Sequence, residues 1–182
     1  ANDEHVLTYR IEDGEYDLVL LEALTHDTLP ATGTGRAGNG NAILSAIEIE
    51  AASVTDPSRR RTLEPIWAWA DHEQSNDDFR ITNALRKDNG RVWAADSHQV
   101  PGRRTLAFMT DDRFGFDGGT DVQITLTFES PYPNHVLGRT RASFGRAGEE
   151  WRRSIPVATT NWYIVGPYTI ENGKEGYDTR FG

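Results

Sequence analysis

A glycine- and asparagine-rich stretch, Gly35–Asn41, runs directly into a β-type sequence. Glycine and asparagine tolerate positive φ angles, so the stretch can turn tightly. Ile43, Ile47 and Ile49 follow at positions that share one face of a strand. The stretch lacks the Lys and Ser/Thr of a phosphate-binding loop, and no helix N-terminus follows it. The sequence therefore predicts a structural turn that leads into a strand with one buried face.

Strand patterns separated by Gly, Pro and Asn dominate the rest of the chain. They cover residues 16–24, 43–51, 66–70, 93–95, 105–110, 122–128 and 136–144. The polar residues 52–62 predict a loop, and residues 71–92 predict loops with a helical turn at 80–86. Because no segment has the periodicity of a long amphipathic helix, we expect an all-β fold, an antiparallel β-sandwich or jelly roll.

Charge and composition limit the classes of partner. The 182 residues include 28 acidic and 19 basic side chains, which gives a formal net charge of −9. An acidic field repels polyanions, so we expect no nucleic-acid partner. No apolar run reaches the length of a membrane span, so we expect no membrane insertion. The lack of cysteine excludes disulfides and thiolate metal sites within this chain.

The last part of the chain differs in composition from the rest. Residues 1–146 are predicted to form the sandwich, and residues 147–182 a charged linker and a strand of a following, truncated segment that packs back. That strand, residues 161–168, is aromatic, and Trp162 needs cover because an isolated strand cannot bury its side chains. The short arginine runs 59–61, 103–104 and 152–153 are typical of solvated loops.

Several short motifs follow one another in a fixed order. They are Leu20–Leu24, Gly35–Asn41, Leu44–Ile49, Ala68–Gln74, Val92–Ala94, Ile124–Thr127, Leu137–Ser143, Val165–Pro167 and Tyr177–Thr179. In this order they resemble a galactose-binding-like, discoidin-type β-sandwich module of large exported planctomycete proteins. There the module accompanies a c-type cytochrome domain. The resemblance covers most of the chain, with the order of the sandwich segments rotated, which requires neighbouring termini.

The resemblance implies an extracytoplasmic location and a role beside neighbouring domains of a parent protein. Many members of the wider galactose-binding-like group hold a structural calcium, which needs six to eight oxygen ligands. The resemblance places three of those ligand positions on Ala46, Arg86 and Arg91. None can supply a side-chain oxygen, and the remaining Asp88 cannot hold the ion alone. We expect no metal or other cofactor, and we expect Arg86 or Arg91 to pair with a nearby carboxylate.

No catalytic constellation stands out in the sequence. None of the histidines has metal-ligand spacing with another: His5, His26, His72, His98 and His135. On a strand His72 would face away from Asp71 and Glu73, and the adjacent residues 96–98 (Asp-Ser-His) are unlike triads, which assemble across a fold. Carboxylates are plentiful, but no pair is singled out for glycoside hydrolysis. We therefore expect a protein that is not an enzyme.

Sugar-binding sandwiches stack an aromatic ring on a sugar and add hydrogen bonds from polar groups. The candidate ligand-binding residues here are Tyr132, Trp67, Trp69, His98, Arg103 and Arg104. Tyr132 lies between two prolines and is the predicted exposed ring, whereas core packing is the competing interpretation of Trp67, Trp69 and Trp93. We expect a carbohydrate-binding accessory module of an exported multidomain protein. The alternatives are a purely structural inter-domain spacer and a glycan-active hydrolase.

Overall fold

The computed structural model describes residues 3–74, 77–86 and 90–154. Over these residues the chain forms ten β-strands: β1 (Asp3–Ile11), β2 (Tyr16–Ala23), β3 (Ile43–Leu44), β4 (Ala46–Ser53), β5 (Arg60–Leu63), β6 (Pro65–Ala70), β7 (Trp93–Ala94), β8 (Arg104–Phe114), β9 (Thr120–Phe128) and β10 (Thr140–Gly145). Short 3₁₀ helices span Pro30–Thr32, Asp77–Phe79 and Ile81–Leu85. One α-helix, α1, spans Glu149–Ser154.

The strands pair into two four-stranded antiparallel sheets. Sheet A has the order β1-β9-β4-β5, and sheet B has the order β10-β2-β8-β6. The short strands β3 and β7 form a separate pair. Side chains of both large sheets belong to one buried cluster, so the sheets pack face to face. The predicted all-β antiparallel sandwich is therefore confirmed.

Side-chain alternation along the strands builds this core. Val19 and Leu21 of β2 point inward with Phe108 of β8, and they meet Ile49 of β4 and Leu126 of β9 across the sandwich. Each of these side chains is fully buried. Burial of an aliphatic or aromatic side chain of this size stabilises a fold by about 1.5–3 kcal/mol. Alternating apolar positions, which the sequence displays, thus account for the inner faces of both sheets.

Trp93 of β7 closes the core beneath the loops. Its side chain is fully buried, as the core interpretation predicts. The indole Nε1 donates a hydrogen bond to the backbone oxygen of His72 at 3.1 Å. This bond satisfies the ring's single polar group, so Trp93 is a structural residue and presents no surface to a ligand.

Three elements differ from the sequence-based expectation. β5 begins inside the predicted loop 52–62; it is one of the two edge strands of sheet A and exposes Arg60 and Arg61. Charged residues on an edge strand protect it from further pairing, and this gives the strand a loop-like composition. β1 was not predicted, and α1 lies within the predicted linker. The predicted strand 161–168 lies outside the described residues, so the boundary near residue 146 stays a prediction.

The glycine-rich loop is a structural turn, as the sequence predicts. A Cβ atom on Gly33 would lie 2.2 Å from the Gly40 oxygen, and one on Gly35 would lie 1.9 Å from the Asn41 oxygen. Gly35 N donates to the Gly40 oxygen at 2.9 Å, which closes the loop on itself. Only Gly40 of these three has a positive φ, at 77°. The glycines at 33 and 35 are therefore needed for close backbone approach, not for positive φ.

His5 makes the stability of the fold depend on pH. Its ring lies edge-on to the Phe128 ring with the centroids 4.7 Å apart. Burial lowers the pKa of His5; Asp3 partly opposes this shift and Arg36 adds to it. The unfolded chain therefore takes up this proton at higher pH than the folded protein, and stability falls as the pH drops below about 6.5.

We expect the urea midpoint of unfolding to decrease between about pH 7 and about pH 5, and to decrease less in His5→Gln than in the wild type. If the urea midpoint decreased by the same amount in both proteins over this pH range, His5 would not contribute to the pH dependence of stability.

Candidate functional site

The outer faces of the two sheets have opposite character. The outer face of sheet A is polar and exposes side chains such as Thr8, Gln123 and Glu48. The outer face of sheet B carries apolar side chains: Leu18, Leu20, Trp67, Trp69, Ala107 and Met109. An apolar outer face requires cover or a ligand, because a sheet that faces only water alternates apolar with polar residues. Sheet B therefore holds the candidate site.

Helix α1 covers one end of this outer face. Ala147, just before the helix, packs with Met109, and Leu18, Ile66 and Trp67 surround them. The rings of Trp67 and Trp151 meet edge to face, with centroids 5.2 Å apart and an interplanar angle of 84°. Trp151 remains 41% exposed. The helix thus shields the Met109 end of the sheet and leaves the other end open.

Asp17 holds α1 against the sheet. The carboxylate is completely buried, and its Oδ1 accepts a hydrogen bond from Ala147 N at 2.6 Å. Its Oδ2 lies 2.9 Å from Arg152 Nη1 and 3.5 Å from Arg113 Nε. Arg152 also donates to the backbone oxygens of Thr110 and Asp111. Arg152 is therefore a structural ion-pair residue, in contrast to the solvated loop expected for the arginine run 152–153.

Trp69 occupies the open end of the outer face. It lies beside Ala107 of β8, which lies beside Leu20 of β2, so the indole is flanked by small and aliphatic side chains. The Trp69 side chain is 48% exposed. The interpretation of Trp69 as a core residue is therefore wrong. Trp67 also lies on the outer face, where it packs against α1. The sheet offers an accessible aromatic surface at this position.

A charged group lies on the same face beside the aromatic surface. Glu22 of β2 is nearly buried, and its carboxylate contacts Arg141 Nε at 2.6 Å and Arg103 Nη1 at 3.7 Å. The hydrogen bond from Arg141 lowers the pKa of Glu22, and the charges of both arginines add to this effect. From strand spacing and rise per residue, the Glu22 and Trp69 backbones are about 12 Å apart. The face thus combines an exposed ring with fixed hydrogen-bonding groups.

Arg104 does not take part in this face. Its side chain is buried, and it donates to the backbone oxygens of Ala95 at 2.6 Å and Gly102 at 3.1 Å. Further bonds reach the Val100 and Arg103 oxygens. Burial lowers the pKa of Arg104, and the charges of two aspartates oppose this shift. The guanidinium stabilises the loop before β8, so Arg104 does not offer ligand-binding donors to solvent, and its prediction as a ligand-binding residue is wrong.

His98 lies in a cluster at the loop end of the sandwich. Asp96 is buried, and its two carboxylate oxygens lie 3.2 Å from His72 Nε2 and 3.5 Å from His98 Nδ1. The Ser97 hydroxyl bonds to the Thr34 hydroxyl at 2.7 Å. The serine is therefore engaged in holding two loops together, and residues 96–98 do not have the bonding pattern of a catalytic triad.

Tyr132 lies apart from the other predicted ligand-binding residues. It is 63% exposed, and its ring centroid is 5.6 Å from that of His135. Both residues belong to the connection between β9 and β10, whereas Trp69 lies in β6 and Arg103 directly precedes β8. The structure thus brings Trp67, Trp69 and Arg103 to one face, and it separates them from Tyr132, His98 and Arg104.

The positions that correspond to the family's calcium ligands have other roles. Ala46 is buried in β4, and Arg86 is exposed after a 3₁₀ helix. Arg91 Nε lies 3.4 Å from Asp78 Oδ1, which is the ion pair predicted for one of the two arginines. Within residues 3–74, 77–86 and 90–154, no group of three or more His, Asp or Glu side chains has metal-binding geometry. Asp88 lies outside the described residues.

One cavity contains two carboxylates. It has a volume of about 520 Å³ and lies at the turn after β1, where its lining includes Arg10, Glu12 and Asp13. Glu12 and Asp13 are sequence neighbours and both are exposed. A glycosidase acid needs a desolvated environment that raises its pKa, and its partner must face it across the scissile bond. An open turn with adjacent acids supplies neither.

Sequence reasoning missed three residues of the outer face: Glu22, Arg141 and Trp151. Glu22 lies within the apolar run of β2. The only sequence signal for its place on the outer face is its spacing of two residues from Leu20, which in turn is two residues from Leu18. Arg141 and Ser143 alternate with inward residues of β10, which is a signal that the sequence contains. Trp151 has no such signal, because its position depends on the Asp17 anchor.

In the part of the chain that the structure describes, no helix is both long and apolar enough to cross a membrane. Comparisons with protein-family models, curated proteins and solved structures found no match for the chain. The resemblance to the galactose-binding-like module therefore stays a prediction, and the fold assignment depends on the sheets themselves.

Proposed function

We propose that the chain is a non-catalytic carbohydrate-binding module that uses the outer face of sheet B. The observation that carries the proposal is the exposed Trp69 ring on the same sheet face as Glu22 and its two arginines. Through the resemblance, we further propose that the module serves a larger exported protein and acts beside neighbouring domains.

The chemistry of the face fits a sugar. An indole ring offers a large, rigid apolar surface for the C–H face of a pyranose. A carboxylate and guanidinium groups form the strong, directional hydrogen bonds that sugar hydroxyls require. Arg103 and Arg141 are 66% and 59% exposed, so they keep donors available to solvent while Glu22 fixes their orientation. The face therefore has the two kinds of group, an exposed ring and fixed hydrogen-bonding groups, on which this proposal depends.

The Trp69→Ala substitution tests this proposal. Truncation of a central tryptophan costs at least about 2 kcal/mol of binding free energy, so we expect affinity to fall by about 30-fold or more. Affinity electrophoresis against soluble galactan, xylan, glucomannan and dextran measures the effect after a glycan array has selected ligands. Tyr132→Ala removes a more exposed ring in the connection between β9 and β10 and is the matched control, for which we expect unchanged binding.

The alternatives predict different results. A structural spacer would bind no glycan on the array, and Trp69→Ala would then have no binding phenotype. A hydrolase would release reducing ends from these polysaccharides, which an assay of the wild-type protein would detect. Either result would overturn the proposed function.

A further inference from the structure

A second cavity lies beside the edge of sheet B. It has a volume of about 370 Å³, and its lining is His26, Thr28, Leu29, Arg36, Gly138 and Arg139. Arg139 directly precedes β10, which also carries Arg141. Positions 139, 141 and 143 alternate with the inward side chains of this strand, which places Arg139 on the same side of the strand as Arg141.

Arg36 and Arg139 are the charged groups of this cavity, and both are exposed. Within residues 3–74, 77–86 and 90–154, neither guanidinium forms an ion pair or a side-chain hydrogen bond. Arg10, Arg61 and Arg141, by contrast, each contact a carboxylate within 3 Å. In a chain of net charge −9, two unpaired guanidinium groups at one cavity form a local site for an anion.

His26 adds a ring N–H donor to this site. Its Nδ1 accepts a hydrogen bond from Thr28 N at 3.2 Å and lies 2.8 Å from the Thr28 hydroxyl. A ring nitrogen that accepts a bond carries no proton, so the bonding pattern assigns the proton of the neutral ring to Nε2. The cavity wall thus offers an imidazole N–H as well as two guanidinium groups.

The backbone around the cavity is held in place by several contacts. Gly35 and Leu137 form an antiparallel bridge, Arg36 N donates to the Val136 oxygen at 3.0 Å, and Gly138 N donates to the Thr34 oxygen at 2.8 Å. A Cβ atom on Gly138 would lie 2.4 Å from Leu29 Cδ2, so the absence of a side chain lets Leu29 form the floor. The site is therefore formed before a ligand arrives, which limits the entropy cost of binding.

We propose that this cavity binds the carboxylate or sulfate group of an acidic glycan. The inference rests on the proposed carbohydrate-binding function and names the ligand class as acidic sugars. Guanidinium groups bind such oxyanions through paired, charge-assisted hydrogen bonds. The net negative charge does not prevent this, since distant acids are screened beyond about 8 Å at physiological salt. The glycan would extend from Trp69, past Glu22 and Arg141, to the cavity.

The experiment compares acidic and neutral polymers on the full chain. Polygalacturonate, alginate and dextran sulfate are the acidic probes, and galactan, dextran and methyl-esterified polygalacturonate are the neutral ones. We expect the Arg36→Gln, Arg139→Gln double variant to bind the preferred acidic probe at least tenfold more weakly and the neutral probes unchanged. Arg60→Gln, which changes an exposed arginine on sheet A, is the charge control and should leave binding unaffected.

Each outcome decides between the two proposals. Equal binding of an acidic probe by the wild type and the double variant, or no binding of any acidic probe, would overturn the anion site. Neutral-glycan binding that still requires Trp69 would then leave the proposed function intact. If the arginine variant loses acidic binding while Trp69→Ala retains it, the anion site stands and the aromatic face fails. Inorganic sulfate that binds as tightly as the polymers would identify a free anion and overturn the glycan assignment.

Discussion

Replacement of Asp17 by alanine is expected to lower the free energy of unfolding by about 3–5 kcal/mol, the usual cost of removing one partner of a buried ion pair. The carboxylate is completely buried, and it accepts bonds from Ala147 N and Arg152 while lying close to Arg113. Its loss leaves an unpaired backbone N–H and guanidinium groups without their counter-charge. The anchor of α1 on sheet B disappears with it.

Urea unfolding followed by tryptophan fluorescence measures this effect, because release of α1 also exposes Trp67. Asp121→Ala is the matched control, since Asp121 pairs with Arg10 at the exposed surface of sheet A. Exposed pairs of this kind contribute little to stability. A loss in Asp17→Ala no larger than that in Asp121→Ala would show that the carboxylate does not anchor the helix.

The second large effect is expected from Gly35→Ala, which should destabilise the protein by about 1–3 kcal/mol or more. The new Cβ atom would lie 1.9 Å from the Asn41 oxygen and 2.4 Å from its carbonyl carbon. These are backbone atoms, so no side-chain rotation can relieve the clash. The loop must open, and the Gly35 N to Gly40 oxygen bond and the bridge to Leu137 are strained with it.

Gly38→Ala in the same loop is the control for this substitution. Apart from Gly38 itself and its two chain neighbours, no atom of the described residues lies within 4 Å of the position that its Cβ would take. Alanine at such a position restricts the unfolded chain, and the expected change is between zero and a gain of about 1 kcal/mol. Equal thermal or urea midpoints for the two variants would show that the close approach at Gly35 does not constrain the fold.

The candidate site shows where prediction from sequence succeeds and where it stops. Trp67, Trp69 and Arg103 were predicted as binding residues, and they do lie on one face. Arg104 adjoins Arg103 in sequence but is buried beneath the loop, because successive residues of a strand point to opposite faces. The two arginines have the same residue type and belong to the same short run, which was predicted to be a solvated loop. Only their positions relative to the sheet distinguish them.

The anion cavity was not predicted at all. His26, Arg36 and Arg139 are far apart in the sequence: His26 follows the first predicted strand, Arg36 lies in the predicted turn, and Arg139 lies in the predicted strand 136–144. They come together because the Gly35 loop forms a bridge with Leu137. A contact between such distant segments leaves no periodic signal in either one.

Local patterns in the chain were sufficient for the all-β class, for most strand positions and for the turn at Gly35–Asn41. They were sufficient because alternation and glycine content act between near neighbours in sequence. The pairing of strands into sheets, the burial of Asp17, the exposure of Trp69 and the cover of α1 depend on contacts between different segments of the chain, which lie as far apart as Asp17 and Arg152, 135 positions. Only the packed sandwich decides which face of each sheet meets solvent. That choice depends on which side chains lie across the core and on which segments cover the outer face.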